Sequence, residues 1–307
     1  MPIHIVHKPI GLTSHDVVAA GRKAFRTRAV GHAGTLDPLA AGVLVLLTGA
    51  DTKLSPHLTA SEKRYYAWVA LGATTPTLDA EGPLVPGNVG LATHLREADI
   101  TAQFPYFLGL HEQVPPAFSA VQHGGVRSYD RARRGEAVTL PPRPAGYVHL
   151  ELLYLVPTIS EIPLPAGVQA ADLPVQLGEF PVALIDVHVT AGTYVRAFAR
   201  DLGERLGTGA HLAGLVRYQA GDAHLRSAVA LANLADDPGA KAYDVLPMAK
   251  RTVTAEMAAT IRLGQRPKLM VNKKTALFTE DKTIVALVEP HPDNPRRIQF
   301  IRVFPAS

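Results

Sequence analysis

GHAGTLDPLAAGVLVLL, residues 31–47, sets a single carboxylate, Asp37, directly before an apolar run. The aliphatic residues 43–47 have the length and composition of a β-strand. Pro38 fixes the chain just after Asp37, and Gly31, Gly34 and Gly42 let the backbone turn or approach a ligand closely. A carboxylate entering a hydrophobic segment is costly unless it is paired or hydrogen-bonded. Asp37 is therefore either a turn or cap residue, or one half of an ion pair whose partner lies elsewhere in the chain.

Working outward, KPIGLTSHDVVAAGRKAF reads as a loop and then a helix, with Ser14 as N-cap and Val17, Val18, Gly21, Ala24 and Phe25 on one face. TGADTKLSPHL reads as a short helix capped by Thr48, and KRYYAWVALG as a strand whose Tyr65 and Tyr66 point to opposite faces. TPTLDAEGPLVPGN is turn-rich and reads as a loop, HLREADITAQF as helical, QVPPAFSAVQHGG as extended, and SYDRARRGEA as a short helix stopped by Gly135. GYVHLELLYLV and FPVALIDVHVT alternate like strands. The proline-rich stretch between them, residues 157–178, reads as a surface insertion.

GTYVRAFARDLGERLG gives the clearest helix. Val195, Phe198, Ala199, Leu202 and Leu206 form its apolar stripe, Thr193 its N-cap and Gly207 its C-terminal stop. Tyr194 and Arg196 fall in its first turn, and an arginine buried there needs an anionic partner, for which Asp37 is a candidate. Asp16, Asp79 and Asp201 read as cap, loop and surface residues, the last with Arg205 at i+4. A boundary near LANLADDPGAKAYDVLP divides the chain into residues 1–245 and 246–307. The tail reads as a helix ending at Gly264 and strands around 275–279, 283–289 and 297–304, enough for a small barrel.

The 307 residues, 47% hydrophobic and 19% charged, can bury a sizeable core in one large domain or two domains. There is no cysteine, which excludes disulfides and cysteine-ligated metal centres. His4, His7 and His32 do not have metal-ligand spacing, and no P-loop, dinucleotide-binding, zinc-protease or serine-hydrolase pattern occurs. The first residues lack the pattern of a signal peptide and the longest apolar run is too short to span a bilayer, so a cytoplasmic protein without membrane attachment is expected. The net charge of +4 is modest but locally concentrated, in Arg22, Lys23, Arg26 and Arg28 and again in Arg127, Arg131, Arg133, Arg134 and Arg143. Such clusters are solvated faces or contacts for an anionic partner such as RNA.

Taken together, GHAGTLDPLAAGVLVLLTG, KPIGLTSHDVV, KRYYAWVALGATTPTLDAEG, QVPPAFSAVQHGGVRSYDRARRGE and GTYVRAFARDLGERLGTGAHLAGLVR resemble five motifs of the TruB family of tRNA pseudouridine-55 synthases. The resemblance covers most of residues 3–218, and the tail looks like the PUA domain common in that family. It implies an α+β fold, a mixed, largely antiparallel sheet with flanking helices, followed by a small β-rich RNA-binding domain. It implies that uridine 55 in the T-loop of tRNA is converted to pseudouridine by glycosidic bond cleavage, base rotation and rejoining through C5, with no cofactor and no metal.

By position, Asp37 matches the essential aspartate, Arg196 the arginine paired with it, and Tyr65 the tyrosine stacked on the target base. His32 matches the histidine that packs into the RNA loop, and Tyr194 and Leu215 match residues lining the uracil pocket. The partner implied is the T-arm stem-loop of tRNA, bound by a monomer without an obligate protein partner. Two positions depart from the family pattern: Phe118 stands where a tyrosine is usual and Gln122 where a lysine is usual. Two rivals remain: a related synthase acting on another RNA, and an RNA-folding chaperone, which would not need Asp37.

Overall fold

The structure is a computed structural model that describes residues 2–119, 122–123, 126–127, 134, 140–158, 161, 163–173 and 180–306. In its main sheet lies β3 (Ala40–Thr48), whose residues are all buried. Leu44 and Leu46 pack into one apolar cluster, Val43, Val45 and Leu47 into another on the opposite face. A strand covered on both faces is apolar at every position instead of every second one, which is why this run is continuous.

Around β3 the strands are β1 (Ile3–Lys8), β2 (Val30–Ala33), β4 (Lys63–Leu71), β5 (Gly109–Gln113), β6 (Arg143–Val156), β7 (Val182–Val189) and β8 (Ala210–Ala220). Their order is β1-β3-β8-β4-β7-β6-β5, with β2 paired to β3 and the short strand Val229–Ala230 beside β1. Only β3 with β8, and β1 with Val229–Ala230, run parallel among these pairs. The expected mixed, largely antiparallel sheet with flanking helices is the observed architecture.

Helices α1 (Ser14–Ala24) and α2 (Val195–Leu206) cover the front face, burying Val17, Val18, Phe198 and Leu202. Two expected caps move by one residue. Thr13, not Ser14, is the N-cap of α1 and forms a capping box with Asp16. Tyr194, not Thr193, is the N-cap of α2 and supplies no side-chain bond; the Thr193 hydroxyl instead accepts from Gly146 N at 3.0 Å. Gly207 ends α2 as expected, at φ +70°. Residues 49–54 are a 3₁₀ turn before a short helix, and Thr48 is their N-cap as expected but supplies no side-chain bond there; its hydroxyl donates to Pro2 O.

The back face is covered twice. The tail folds as β9 (Ala249–Thr252), α3 (Ala255–Arg262), β10 (Thr275–Phe278), β11 (Ile284–His291) and β12 (Asn294–Val303), with a four-stranded sheet ordered β9-β10-β11-β12. Its Ala276, Phe278, Leu287 and Phe304 share a cluster with Ile3, Ile5, Val43 and Leu47 of the main sheet. Beside it, Val168 and Leu173 of the proline-rich stretch pack with Trp68, Leu184 and Ala213. The helix expected over SYDRARRGEA lies outside the described residues, apart from Arg134.

Candidate active site

Asp37 lies in the tight connection between β2 and β3, and the backbone of that connection is held from below by buried side chains. Arg217 of β8 donates to Gly34 O at 3.0 Å, Thr35 O at 3.3 Å and Val43 O at 2.7 Å. The Ser14 hydroxyl donates to Leu36 O and accepts from Leu36 N, at 3.0 and 2.9 Å. This explains why Ser14 does not cap α1. Pro38 O accepts from Gly11 N at 2.8 Å and lies 3.5 Å from Lys8 Nζ, which also donates to Pro9 O and Leu12 O. Buried backbone carbonyls must be paired somewhere, and here cations and one serine pair them. Lys8 is fully buried, and desolvation draws its ammonium down to about 8, against the opposing charge of Asp37.

The side chain of Asp37 is 38% exposed, while Arg196 is 7% exposed and its Nε lies 2.9 Å from Asp37 Oδ2. The expected ion pair is present. Asp37 Oδ1 has no donor among the described residues. A cation in the first turn of a helix meets the unfavourable end of the helix dipole, and burial adds to the cost. Arg196 offsets both with a second carboxylate, since Nη1 lies 3.4 Å from Asp79 Oδ2. It also donates to Thr77 O at 3.1 Å and Phe118 O at 2.9 Å.

Asp79, read from the sequence as a loop residue, is thus a buried partner of Arg196. It accepts from the Thr77 hydroxyl at 2.6 Å and Glu81 N at 3.1 Å. Burial pushes its carboxyl above the ordinary range, with the Thr77 bond and Arg196 pulling the other way. Its loop is stitched to β8 through Leu212 N to Leu78 O and Ala80 N to Leu212 O, both 3.0 Å, and Leu78 holds φ +63°. The sequence carried a signal: the triplet Thr-Leu-Asp occurs at 35–37 and again at 77–79, and each occurrence brings one carboxylate to the same guanidinium.

The other expected residues surround this pair to different degrees. Tyr65 is buried on β4, opposite Arg217 in the ladder, and belongs to the same apolar cluster as Leu36, Leu39, Val195 and Leu215. Leu215 pairs with Ala40 on one side and Ala67 on the other. Tyr66 points to the back face and stacks on Tyr218, ring centroids 4.4 Å apart. Tyr194 is half-buried; burial raises its phenol, and the negative charge of Asp37 adds to that rise. Its backbone is clamped by the Gln113 side chain, which accepts from Tyr194 N at 2.9 Å and donates to Tyr194 O at 3.1 Å.

His32 stands apart on β2, with no hydrogen bond or ion pair to Asp37 or Arg196 among the described residues. Burial lowers its imidazole, His15 adds to the effect, and the two rings meet edge-on at 5.8 Å. Asp201 pairs with Arg200 at 2.7 Å instead of Arg205, whose guanidinium lies 3.7 Å above the Tyr106 ring. Among the described residues no group of His, Asp and Glu side chains is arranged to hold a metal ion, and no helix is long and apolar enough to cross a membrane. The arrangement offers a half-exposed carboxylate with one free oxygen on a hydrogen-bonded backbone, with the Tyr194 phenol near enough to feel its charge.

The TruB family pseudouridylate synthase N-terminal domain matches residues 22–195. A tRNA pseudouridine synthase B of Thermus thermophilus is 47% identical over 301 residues, covering 94% of this chain and 95% of that protein. Its counterpart in Mycobacterium tuberculosis is 37% identical over 305 residues, covering 98% and 95%. Among solved structures, one described as a Cbf5-Nop10-Gar1 complex superposes with a TM-score of 0.68 at 22% identity, covering 98% of this chain and 84% of that one. At that identity the likeness speaks for the fold.

Proposed function

The chain belongs to the TruB family of pseudouridylate synthases, and from that premise we propose that it acts on uridine 55 in the T-loop of tRNA, with Asp37 as the essential carboxylate. It is an isomerase that forms pseudouridine in tRNA. The reaction breaks the N1–C1′ bond, forms C5–C1′, releases the C5 proton and protonates N1. Atoms and oxidation level are conserved, so the chemistry calls for no co-substrate, and we assign it no cofactor and no metal.

A stacked uridine does not expose both faces of its glycosidic bond, so it is extruded from the folded T-loop. Tyr65 supports the extruded base, at about 1–3 kcal/mol for stacking on an aromatic ring. Tyr194 and Leu215 line the pocket for the base, and His32 packs into the vacated loop. Asp37 meets the nucleotide through its free oxygen, as nucleophile at the ribose or as base for a ribose proton, while Arg196 fixes its orientation. The exposed Arg22, Lys23, Arg26 and Arg28, in no ion pair among the described residues, suit the phosphates of the T-arm. Residues 1–245 carry the chemistry and residues 246–307 form a PUA-like RNA-binding extension, in a cytoplasmic monomer that works without an obligate protein partner.

The observation that carries this reading is the half-exposed Asp37, paired with Arg196, on a loop whose carbonyls from Gly34 to Pro38 are all hydrogen-bonded. The test is tritium release from tRNA transcripts labelled at uridine C5. Wild type is expected to release about one equivalent per tRNA, and Asp37→Asn none, with binding of the same tRNA retained. Turnover by Asp37→Asn rules out its role, and tight binding with no release by wild type favours a folding chaperone.

A further inference from the structure

The proline-rich stretch on the back face has no part in the chemistry above, yet it buries a carboxylate. Asp172 is 5% exposed, at the end of the 3₁₀ turn Ala170–Asp172. Its Oδ2 accepts from Gln169 N at 2.9 Å, and its Oδ1 lies 2.8 Å from Nε2 of His7. Burying a carboxylate is unfavourable unless its partners are fixed. Burial pushes this carboxyl up, and contact with His7 and the Gln169 N–H bring it below the ordinary range.

His7 is the residue before Lys8. On the far side of Lys8, Ile10 packs into the cluster that Val168 and Leu173 complete. The proline-rich stretch therefore grips the β1 end and the loop after it at two points, one polar and one apolar. Between those points Lys8 Nζ reaches Pro9 O, Leu12 O and Pro38 O, and just beyond them Gly11 N donates to Pro38 O. Pro38 directly follows Asp37.

We propose that Asp172 is a positioning residue for Asp37: paired with His7, it braces the 8–12 loop that holds Pro38, and so fixes the reacting carboxylate from the opposite face of the sheet. This rests on Asp37 being the reacting group. It gives residues 163–173 a role in the reaction without contact with RNA.

The test measures single-turnover conversion of tRNA and tRNA affinity for Asp172→Asn, His7→Asn and the double variant, with Asp37→Asn alongside. Each single variant is expected to slow conversion about tenfold with Kd within twofold, because misplacement of a catalytic group by 1 Å can cost roughly a hundredfold. The double variant is expected to be no slower than either single one, the sign that both act through one contact. His7 is partly exposed, so its variant stands if the Asp172 variant does not fold. Conversion within twofold of wild type overturns the proposal even if thermal stability falls. Loss of affinity alone, or additive slowing, overturns it as well. If Asp37→Asn still converts tRNA, the underlying reading has failed; if it does not and the other variants run at wild-type rate, only the present inference has.

Discussion

Arg196→Lys keeps the charge and removes the fork, which makes it the sharpest probe of the site. The guanidinium reaches four acceptors in different directions: Asp37 at 2.9 Å, Asp79 at 3.4 Å, Thr77 O at 3.1 Å and Phe118 O at 2.9 Å. A lysine ammonium, a point charge without the planar fork, satisfies about two of these at once. Each lost hydrogen bond from a charged donor is worth about 1.5–3 kcal/mol. The Asp37 contact counts for less, because that carboxylate is partly exposed and screened. A loss of about 2–4 kcal/mol in holding Asp37 for the transition state slows the reaction roughly 30- to 1,000-fold. Single-turnover tritium release from uridine-C5-labelled tRNA reads that rate, and filter binding at matched salt reads affinity, expected within about threefold of wild type. A rate within threefold of wild type would refute the argument that geometry, and not charge alone, is what Arg196 supplies.

Other consequences follow from the same contacts. Gly42 sits at φ +103°, and a Cβ there would lie 2.3 Å from Arg217 O; Gly42→Ala should cost roughly 2–4 kcal/mol in urea unfolding, and a wild-type midpoint would show that β3 and β8 can part. Lys63 is buried, and desolvation draws its ammonium from 10.5 to about 8. Between those values the unfolded chain binds more protons than the folded one, so this group's contribution makes the fold more stable as pH rises from about 8 towards 10.5. The stability of wild type relative to Lys63→Met should therefore grow over that window, and a flat difference would dispose of the idea. Replacing Arg22, Lys23 and Arg26 together by serine should reduce the slope of log Kd against log salt by about 2–3 and leave single-turnover rates unchanged; an unaltered slope would move the RNA off α1.

The pairing of Asp37 with Arg196 was legible for a physical reason. A carboxylate before an apolar run and an arginine at the start of an amphipathic helix each demand an opposite charge, and each is the other's obvious answer. Asp79 was less legible because a loop aspartate needs no partner, and only the repeated Thr-Leu-Asp triplet hinted at one. Strand β8 was hidden because register shifts at Leu212/Gly214 and Arg217/Gln219 break its alternation, and because it is covered on both sides for most of its length. The cap at Ser14 was misplaced since Thr13 and Ser14 are both good caps, and only the position of Leu36 decides which of them is free to serve. Lys8 and Arg217 had no signature at all, because their partners are backbone carbonyls, which every residue has.

Those two residues explain how a mobile-looking sequence of glycines and small side chains can hold a carboxylate still. The 34–38 connection is fixed only in part by burial: Leu36 is buried, while Thr35 is exposed and Asp37 half-exposed. It is fixed from beneath, where Arg217, Ser14, Gly11 and Lys8 take up the carbonyls of Gly34, Thr35, Leu36 and Pro38. Taking ammonium and guanidinium groups out of water is unfavourable, and the depressed Lys8 records that cost. Rigidity at Asp37 is therefore obtained at the expense of stability in the layer below it. A substitution that relieves a buried cation, such as Lys8→Met, should then separate the two quantities: the fold need not lose stability, while the loop loses the donor that tethers Pro38 and the reaction slows.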